Sequence, residues 1–251
     1  MTNCSLELYQ PINILKPIDD NIWMVDGPII HMDFVLGAKV PFSTRMMVVK
    51  MPDGGLWLHS PIAPDEELFA QIDALGEPTS IIAPNSIHYW YVPDWVERYP
   101  NAKVYAVPGL GDTAKRPLPI DETLSDGDTD DWYGIFDLLV FPGSVVTEAV
   151  FHHRPSKTVI LCDLIENFEP RRVQSWWLRQ MLKLAGAADP DGKAPIDLRM
   201  TFWKYRKIFA EKAKQMIAWN ADIVIMAHGR PYLENGTKEL RRAFRWVKGI
   251  E

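Results

Sequence analysis

The sequence predicts a layered α/β fold, and two observations carry that expectation. Short apolar strands alternate with helical stretches between residues 56 and 107, the order that places helices against a sheet. A chain of 251 residues that is 47% hydrophobic can also bury the core such layers require.

The elements follow in order. A strand at 22–25 (IWMV) stands between Asp-Asn and Asp-Gly-Pro. Strands at 46–51 (MMVVKM) and 56–59 (LWLH) flank Asp53-Gly54-Gly55, a hairpin turn. Residues 64–75 (PDEELFAQIDAL) put Asp and Glu in the first turn and apolar residues at helical spacing, and Gly76 stops the helix. A buried strand at 80–83 (SIIA), a helix at 93–99 and a strand at 103–107 (KVYAV) come next. The stretch 111–131, rich in Gly, Pro and Asp, reads as loop. Strands are expected at 138–141, 148–152 and 158–162, helices at about 170–185 and 199–219, a strand at 222–226 (DIVIM) and a helix at 236–248.

Composition narrows the function. A net charge of −6 opposes general nucleic-acid binding, which calls for a basic surface. Two cysteines, Cys4 and Cys162, provide neither a disulfide framework nor zinc-ribbon spacing, so they are expected to be free thiols in a reducing compartment, the cytoplasm. No apolar run reaches the length of a membrane span, and the first residues lack the charged and apolar blocks of a signal peptide.

Chemistry is expected at the ends of the buried strands. His88 lies just beyond SIIAPN, Asp163 directly follows TVILC, and His228 follows DIVIMA. Two imidazoles and a carboxylate suit Zn, Fe or Mn. The same residue types also serve as caps and hydrogen-bonded supports at strand ends, so one divalent metal and no metal both stay open. Glu148 is either an inward carboxylate or an exposed strand residue. Strand alternation places it on one face with Val150 and His152, opposite Ala149, Phe151 and His153. His31 and His59 read as structural or exposed. Ser144 lacks the G-x-S-x-G context of a nucleophile.

In order and spacing, the segments MVVK…DGGLWLHSP, SIIAPNSIHYWYVPDWVERYPNAKVYA, FPGSVVTEAVF, TVILCDLIEN and IVIMAHGRP resemble the metallo-β-lactamase superfamily over roughly residues 20–235. The resemblance implies a four-layer αββα sandwich, with residues 1–251 as one domain and a helical insert at about 165–220. It also exposes departures. Asn85, Ile87, Tyr89 and Trp90 stand at the four ligand positions of the superfamily's H-x-H-x-D-H loop, Ser144 at the histidine of its PGH segment, and Ser60 at an aspartate that often supports its site. Asp163 matches the bridging aspartate and His228 the final histidine. The pattern is similar to a divergent branch with P-N-x-x-H in place of the metal loop and E-x-x-F-x-H before the aspartate, here Glu148, Phe151 and His153. The resemblance thus implies a mononuclear site on His88, Asp163 and His228. Glu148 would be a fourth ligand or general base, and His153 a second catalytic candidate.

Three functions remain in play: a hydrolase of a small ester, lactone or amide, an iron-dependent oxidoreductase on the same site, and a metal-free binding protein. The insert carries Val173, Trp176, Trp177, Gln180, Met181 and Leu184 at helical spacing, with Arg171, Arg172, Arg179 and Lys183 largely elsewhere. Such stripes most often pack on the protein's own body. A dimer interface, a lid over the site and a peripheral membrane contact are the other readings. The placement of the insert favours a lid or pocket wall combined with a homodimer.

Overall fold

The structure, a computed structural model, describes residues 6–33, 39–127, 130–132 and 134–250. Cys4 lies outside the described residues. Two sheets form the centre. The first has the order β1(Lys16–Asp19), β2(Ile22–Asp33), β3(Lys39–Lys50), β4(Leu56–His59), β5(Pro78–Ala83), β6(Lys103–Ala106) and β7(Glu122–Thr123). It is antiparallel through β4 and parallel from β4 to β7. The second has the order β11(Ile223–Ile225), β10(Thr158–Ile160), β9(Glu148–His153) and β8(Phe136–Phe141), with only β10 and β11 parallel.

Helices cover both outer faces. α1(Glu66–Leu75) begins at Asp65, whose carboxylate accepts the Leu68 amide at 3.0 Å, and it buries Leu68, Phe69 and Ile72. With α2(Val92–Arg98), which buries Trp95, it packs on the first sheet. Between the sheets, Trp57 of β4 meets Phe136 and Phe151 of the second sheet at ring distances of 4.5 and 5.0 Å. The other face of the second sheet offers Phe141, Val150 and Val159 to α6(Arg206–Ala218) and α7(Gly236–Phe244), through Phe209, Met216 and Phe244. The layers are therefore αββα. Burying a side chain of this size contributes about 1.5–3 kcal/mol, so the stacked aromatic groups hold the layers in register.

Several elements differ from expectation. β2 and β3 each run for 12 residues. Asp26-Gly27-Pro28 does not end β2 but is accommodated as a bulge between Asp26 and Ile29. A side chain at residue 27 would meet Thr44 and Ile62, which explains the glycine there. Within 111–131 the chain adds the short β7 and the end of the four-residue α3(Leu110–Thr113). The helix expected at 170–185 is a 3-10 turn followed by α4(Trp176–Ala185). The one expected at 199–219 is divided into α5(Ile196–Thr201), a second 3-10 turn and α6. Phe202, fully buried between α5 and that turn, anchors the break.

Candidate metal centre

The strand ends of both sheets meet at one point. Beyond β5 the Pro84 carbonyl accepts the Ala149 amide at 2.8 Å, and Asn85 bridges to Glu148 across the sheet-to-sheet boundary. The turn after β5 is fixed by Asn85 itself, whose Oδ1 accepts the amides of Ile87 and His88 at 2.8 and 2.7 Å. This side-chain turn aims His88 inward. Two residues beyond β10 comes Cys162, a free buried thiol, followed by Asp163. Beyond β11 the chain turns at His228-Gly229. Gly229 has φ +90°, and a Cβ there would lie 2.1 Å from the Asn167 carbonyl oxygen, so only glycine lets these two segments touch.

These turns bring three ligand-type atoms together. His88 Nε2 and His228 Nε2 are 3.2 Å apart, and Asp163 Oδ1 lies 3.4 Å from the first and 3.3 Å from the second. Charge-assisted hydrogen bonds are shorter, about 2.7–2.9 Å. Tetrahedral ligands held about 2.0–2.1 Å from a zinc ion are spaced about 3.3 Å from one another. The triangle therefore has the dimensions of three ligand positions and leaves the cavity side free for a fourth.

Every remaining polar atom of the three residues is committed elsewhere. His228 Nδ1 donates to the Ser43 carbonyl at 2.6 Å, and His88 Nδ1 lies 2.8 Å from Ser60 Oγ. The Ser43 carbonyl can only accept, so it fixes the His228 tautomer that leaves Nε2 free for a ligand, while Ser60 Oγ holds the His88 ring in place, the outer support that metal-bound histidines show. Ser60 sits at φ +54°, a strained position for a residue with a side chain, at the end of β4. Asp163 Oδ2 accepts Asn85 Nδ2 at 2.7 Å. Arg45, buried and held by Asp26, donates to the Met226 and Gly229 carbonyls at 2.6 and 2.9 Å and so fixes the turn that carries His228. Phe42 and Phe168 pack against the His228 ring.

Glu148 is in the cluster but behind it. It is fully buried, and its carboxylate accepts the backbone amides of Cys162, Asp163 and Leu164 at 2.8, 2.8 and 3.3 Å together with Asn85 Nδ2 at 3.1 Å. Its oxygens shape the Asp163 loop, and it is not among the residues that line the cavity. His153 is at the far end of β9, about 17 Å along the strand at a normal rise per residue. There Nδ1 bonds Ser156 Oγ at 2.7 Å and the ring packs on Phe136, so the fold does not bring His153 to the His88, Asp163 and His228 cluster. His152 pairs with Asp137 at 2.8 Å and stacks on Trp219. His59 is buried against Trp57, and His31 is exposed.

The electrostatics follow from burial and proximity. Burial alone raises the Asp163 pKa, but His88 and His228 outweigh it and hold the carboxylate ionised. Burial and then Asp163 push Glu148 upward. Burial disfavours the charged form of His88, yet the Asp163 and Glu148 carboxylates more than compensate and raise its pKa. For His228 burial prevails and lowers it.

Asp163 and His228 form part of the floor of a cavity of about 580 Å³. Its walls are mostly apolar, including Val40, Phe42, Val146, Leu178, Leu182 and Leu198. Its polar lining adds Glu166, Asp197 and Thr201, with no Lys or Arg among the described residues. Glu166 is a site residue the sequence reading missed. It is buried, and burial followed by the Asp163, Asp197 and Glu148 charges raises its pKa well above the usual carboxylate range. Only its position three residues beyond Asp163 could have pointed to it.

The comparisons with known proteins concern fold. A family described as "Domain of unknown function (DUF4336)" matches residues 19–111, which include Ser60, Asn85 and His88. No curated protein matches the chain in sequence. The structure is similar to a metallo-β-lactamase of Erythrobacter litoralis at 12% identity and TM-score 0.62, covering 96% of this chain and 99% of the other. It is similar to one from Pontibacter korlensis at 15% identity and TM-score 0.57, covering 97% and 100%. A third, from Pseudomonas aeruginosa in a mono-zinc form, has 14% identity and TM-score 0.54, covering 97% and 98%. This chain is a divergent protein of the metallo-β-lactamase fold.

Proposed function

We propose that this protein is a hydrolase that binds one divalent metal through His88, Asp163 and His228 and acts on a small neutral ester, lactone or amide. The observation that carries this reading is the triangle of His88 Nε2, Asp163 Oδ1 and His228 Nε2, each atom left free by a fixed partner on its other side. When bound, the metal would polarise a carbonyl and lower the pKa of a water molecule in the fourth position. The residues do the rest. Apolar walls seat the substrate and exclude bulk water, and the carboxyl groups of Asp163, Glu166 and Asp197, with no Lys or Arg among the described lining residues, disfavour substrates that carry a carboxylate. Glu166, a cavity carboxyl whose pKa burial raises, donates its proton to the leaving oxygen or nitrogen as the acyl bond breaks. The water oxygen bonds the acyl carbon, and the proton that water releases restores Glu166. Residues 1–251 act as one domain in this reading, with the insert as a wall of the cavity. The free buried thiol of Cys162 fits a reducing compartment such as the cytoplasm.

A panel of apolar esters, lactones and amides, assayed after chelation and after adding back Zn, Mn or Fe, tests the proposal. Turnover that follows metal add-back and is absent in His228→Ala is expected. Equal turnover with and without metal, or none across the panel, contradicts it. Iron-dependent O₂ consumption without hydrolysis would favour the redox reading.

A further inference from the structure

The wall of the cavity is also an apolar surface turned outward. Val173 and Leu178 point inward, but Trp176, Trp177, Met181 and Leu184 of α4 are exposed, with Trp177 at 71% and Leu184 at 83%. Met200 at 72% and Trp203 at 73% continue the patch through α5 and the turn after it. The stripe is therefore turned outward and does not pack on the protein's own body, while Leu178, Met181 and Leu182 line the cavity. The patch is continuous with the site, because the exposed Met181, Val145 and Ile196 also line the cavity above Asp163 and His228.

Its charge is one-sided. Residues 176–207 hold seven Lys and Arg against three Asp, in a chain whose net charge is −6. Asp189 bonds Asn167 and Arg230 and Asp191 meets Arg242 and Arg245, so both are paired, while Asp197 lines the cavity. Beside Ile196 a second groove of about 770 Å³ is lined by Arg199, Arg206, Lys207 and Lys248 around Trp203 and Trp246, with no carboxylate in its lining. Arg206 lies over the Trp203 ring at 5.2 Å, and the buried Nε of Arg199 has no partner. Exposed tryptophans interleaved with basic residues suit the boundary between anionic headgroups and acyl chains. Two such basic faces would repel each other, which argues against a second copy of this chain as the occupant.

We propose that the α4–α5 face docks on an anionic lipid surface with the mouth of the metal cavity turned toward it, so that a lipid-borne acyl substrate enters along an apolar path. The docking stands on the surface alone, and the substrate class rests on the hydrolytic reading above. No helix among the described residues is long and apolar enough to cross a membrane, so the contact is peripheral.

Flotation of the full chain with vesicles of phosphatidylcholine, alone or mixed with phosphatidylglycerol, is the test. Binding to the mixed vesicles that salt weakens is expected. The pair Trp176→Ser and Trp177→Ser, and separately Arg206→Glu with Lys207→Glu, should each lower the partition by about tenfold or more, at unchanged metal content. Sedimentation of the same samples reads the rival occupant. No preference for anionic vesicles, unaltered partition in both variants, or a stable dimer that the Trp variant converts to monomer would each overturn the proposal. Hydrolysis of a vesicle-borne acyl ester beside a short water-soluble ester separates its two halves. Selective loss of the vesicle-borne activity in the Trp variant supports both halves. Vesicle binding with no hydrolysis of either ester removes the hydrolytic reading and the substrate class and leaves the docking.

Discussion

His88 Nε2 and His228 Nε2 face each other at 3.2 Å from strand ends 140 residues apart, and the second nitrogen of each ring is held by a fixed partner. Two imidazoles brought this close in a buried site would leave both lone pairs competing for one proton. A cation between them and Asp163 resolves that conflict. This relationship makes the outer partners as informative as the ligands.

Ser60→Ala removes the partner of His88 Nδ1 while keeping the three ligand-type side chains. Metal affinity should fall by about 10–100-fold. Ser60→Asp, which restores an acceptor, should recover much of it. Competition with a chromogenic chelator measures both, and equal affinity in all three proteins would show that Ser60 does not orient His88.

Asn85 donates to Glu148 and Asp163 at once, so Asn85→Asp exchanges two hydrogen bonds for a third buried carboxylate. Stability should drop by about 3–5 kcal/mol, the penalty of an uncompensated buried charge. Glu148→Gln removes one acceptor oxygen from three backbone amides and should cost about 1–3 kcal/mol. Because the two residues touch, their effects should not add. Urea midpoints at unchanged m-value give all these quantities.

Glu166→Gln keeps the size of the side chain but removes its transferable proton. Metal content should be unchanged, and kcat for alkyl esters or amides should fall by about 10²-fold or more, with a smaller loss for nitrophenyl esters, whose leaving group needs no proton. Parallel losses on both substrate types would remove the proton-donor assignment.

Burial lowers the pKa of His59 from 6.5 to about 3, with His88 adding to the effect. Burial, followed by His152, lowers that of His153 to about 4. Both folded-state values lie below the unfolded one, so below pH 6.5 the unfolded chain binds the extra protons and stability falls with pH. The contribution is complete above about pH 6.5 and is lost progressively down to about pH 4, at up to about 1.4 kcal/mol per pH unit for each histidine. His59→Phe should flatten the acid limb of a stability-versus-pH curve. An unaltered slope would show that His59 does not carry it.

Much of the fold could be read from sequence because apolar runs such as SIIA and DIVIM are buried strands and Asp65 is a strong helix cap. The same reasoning placed His88, Asp163 and His228 at strand ends. It stopped β2 too early, because Asp26-Gly27-Pro28 looks like a turn until Arg45 and Lys16 are found holding Asp26 inside. Long-range partners of this kind leave no periodic trace. The grip of Asn85 on Glu148 and Asp163 depends on contact between the two sheets and leaves no trace in the sequence. Glu166 follows no strand or motif rule, since a fold-dependent cavity alone gives it meaning. What the α4 stripe meets could not be read from sequence, because an amphipathic stripe records which residues share a face and not what that face meets.

The central claim is one metal held by three residues, and metal content per chain tests it most directly. Protein purified without chelator and then equilibrated with Zn, Fe or Mn is expected to hold about one ion per chain, and Asp163→Ala and His228→Ala to hold almost none. No bound metal in the wild type, two ions per chain, or full retention in both variants would contradict it.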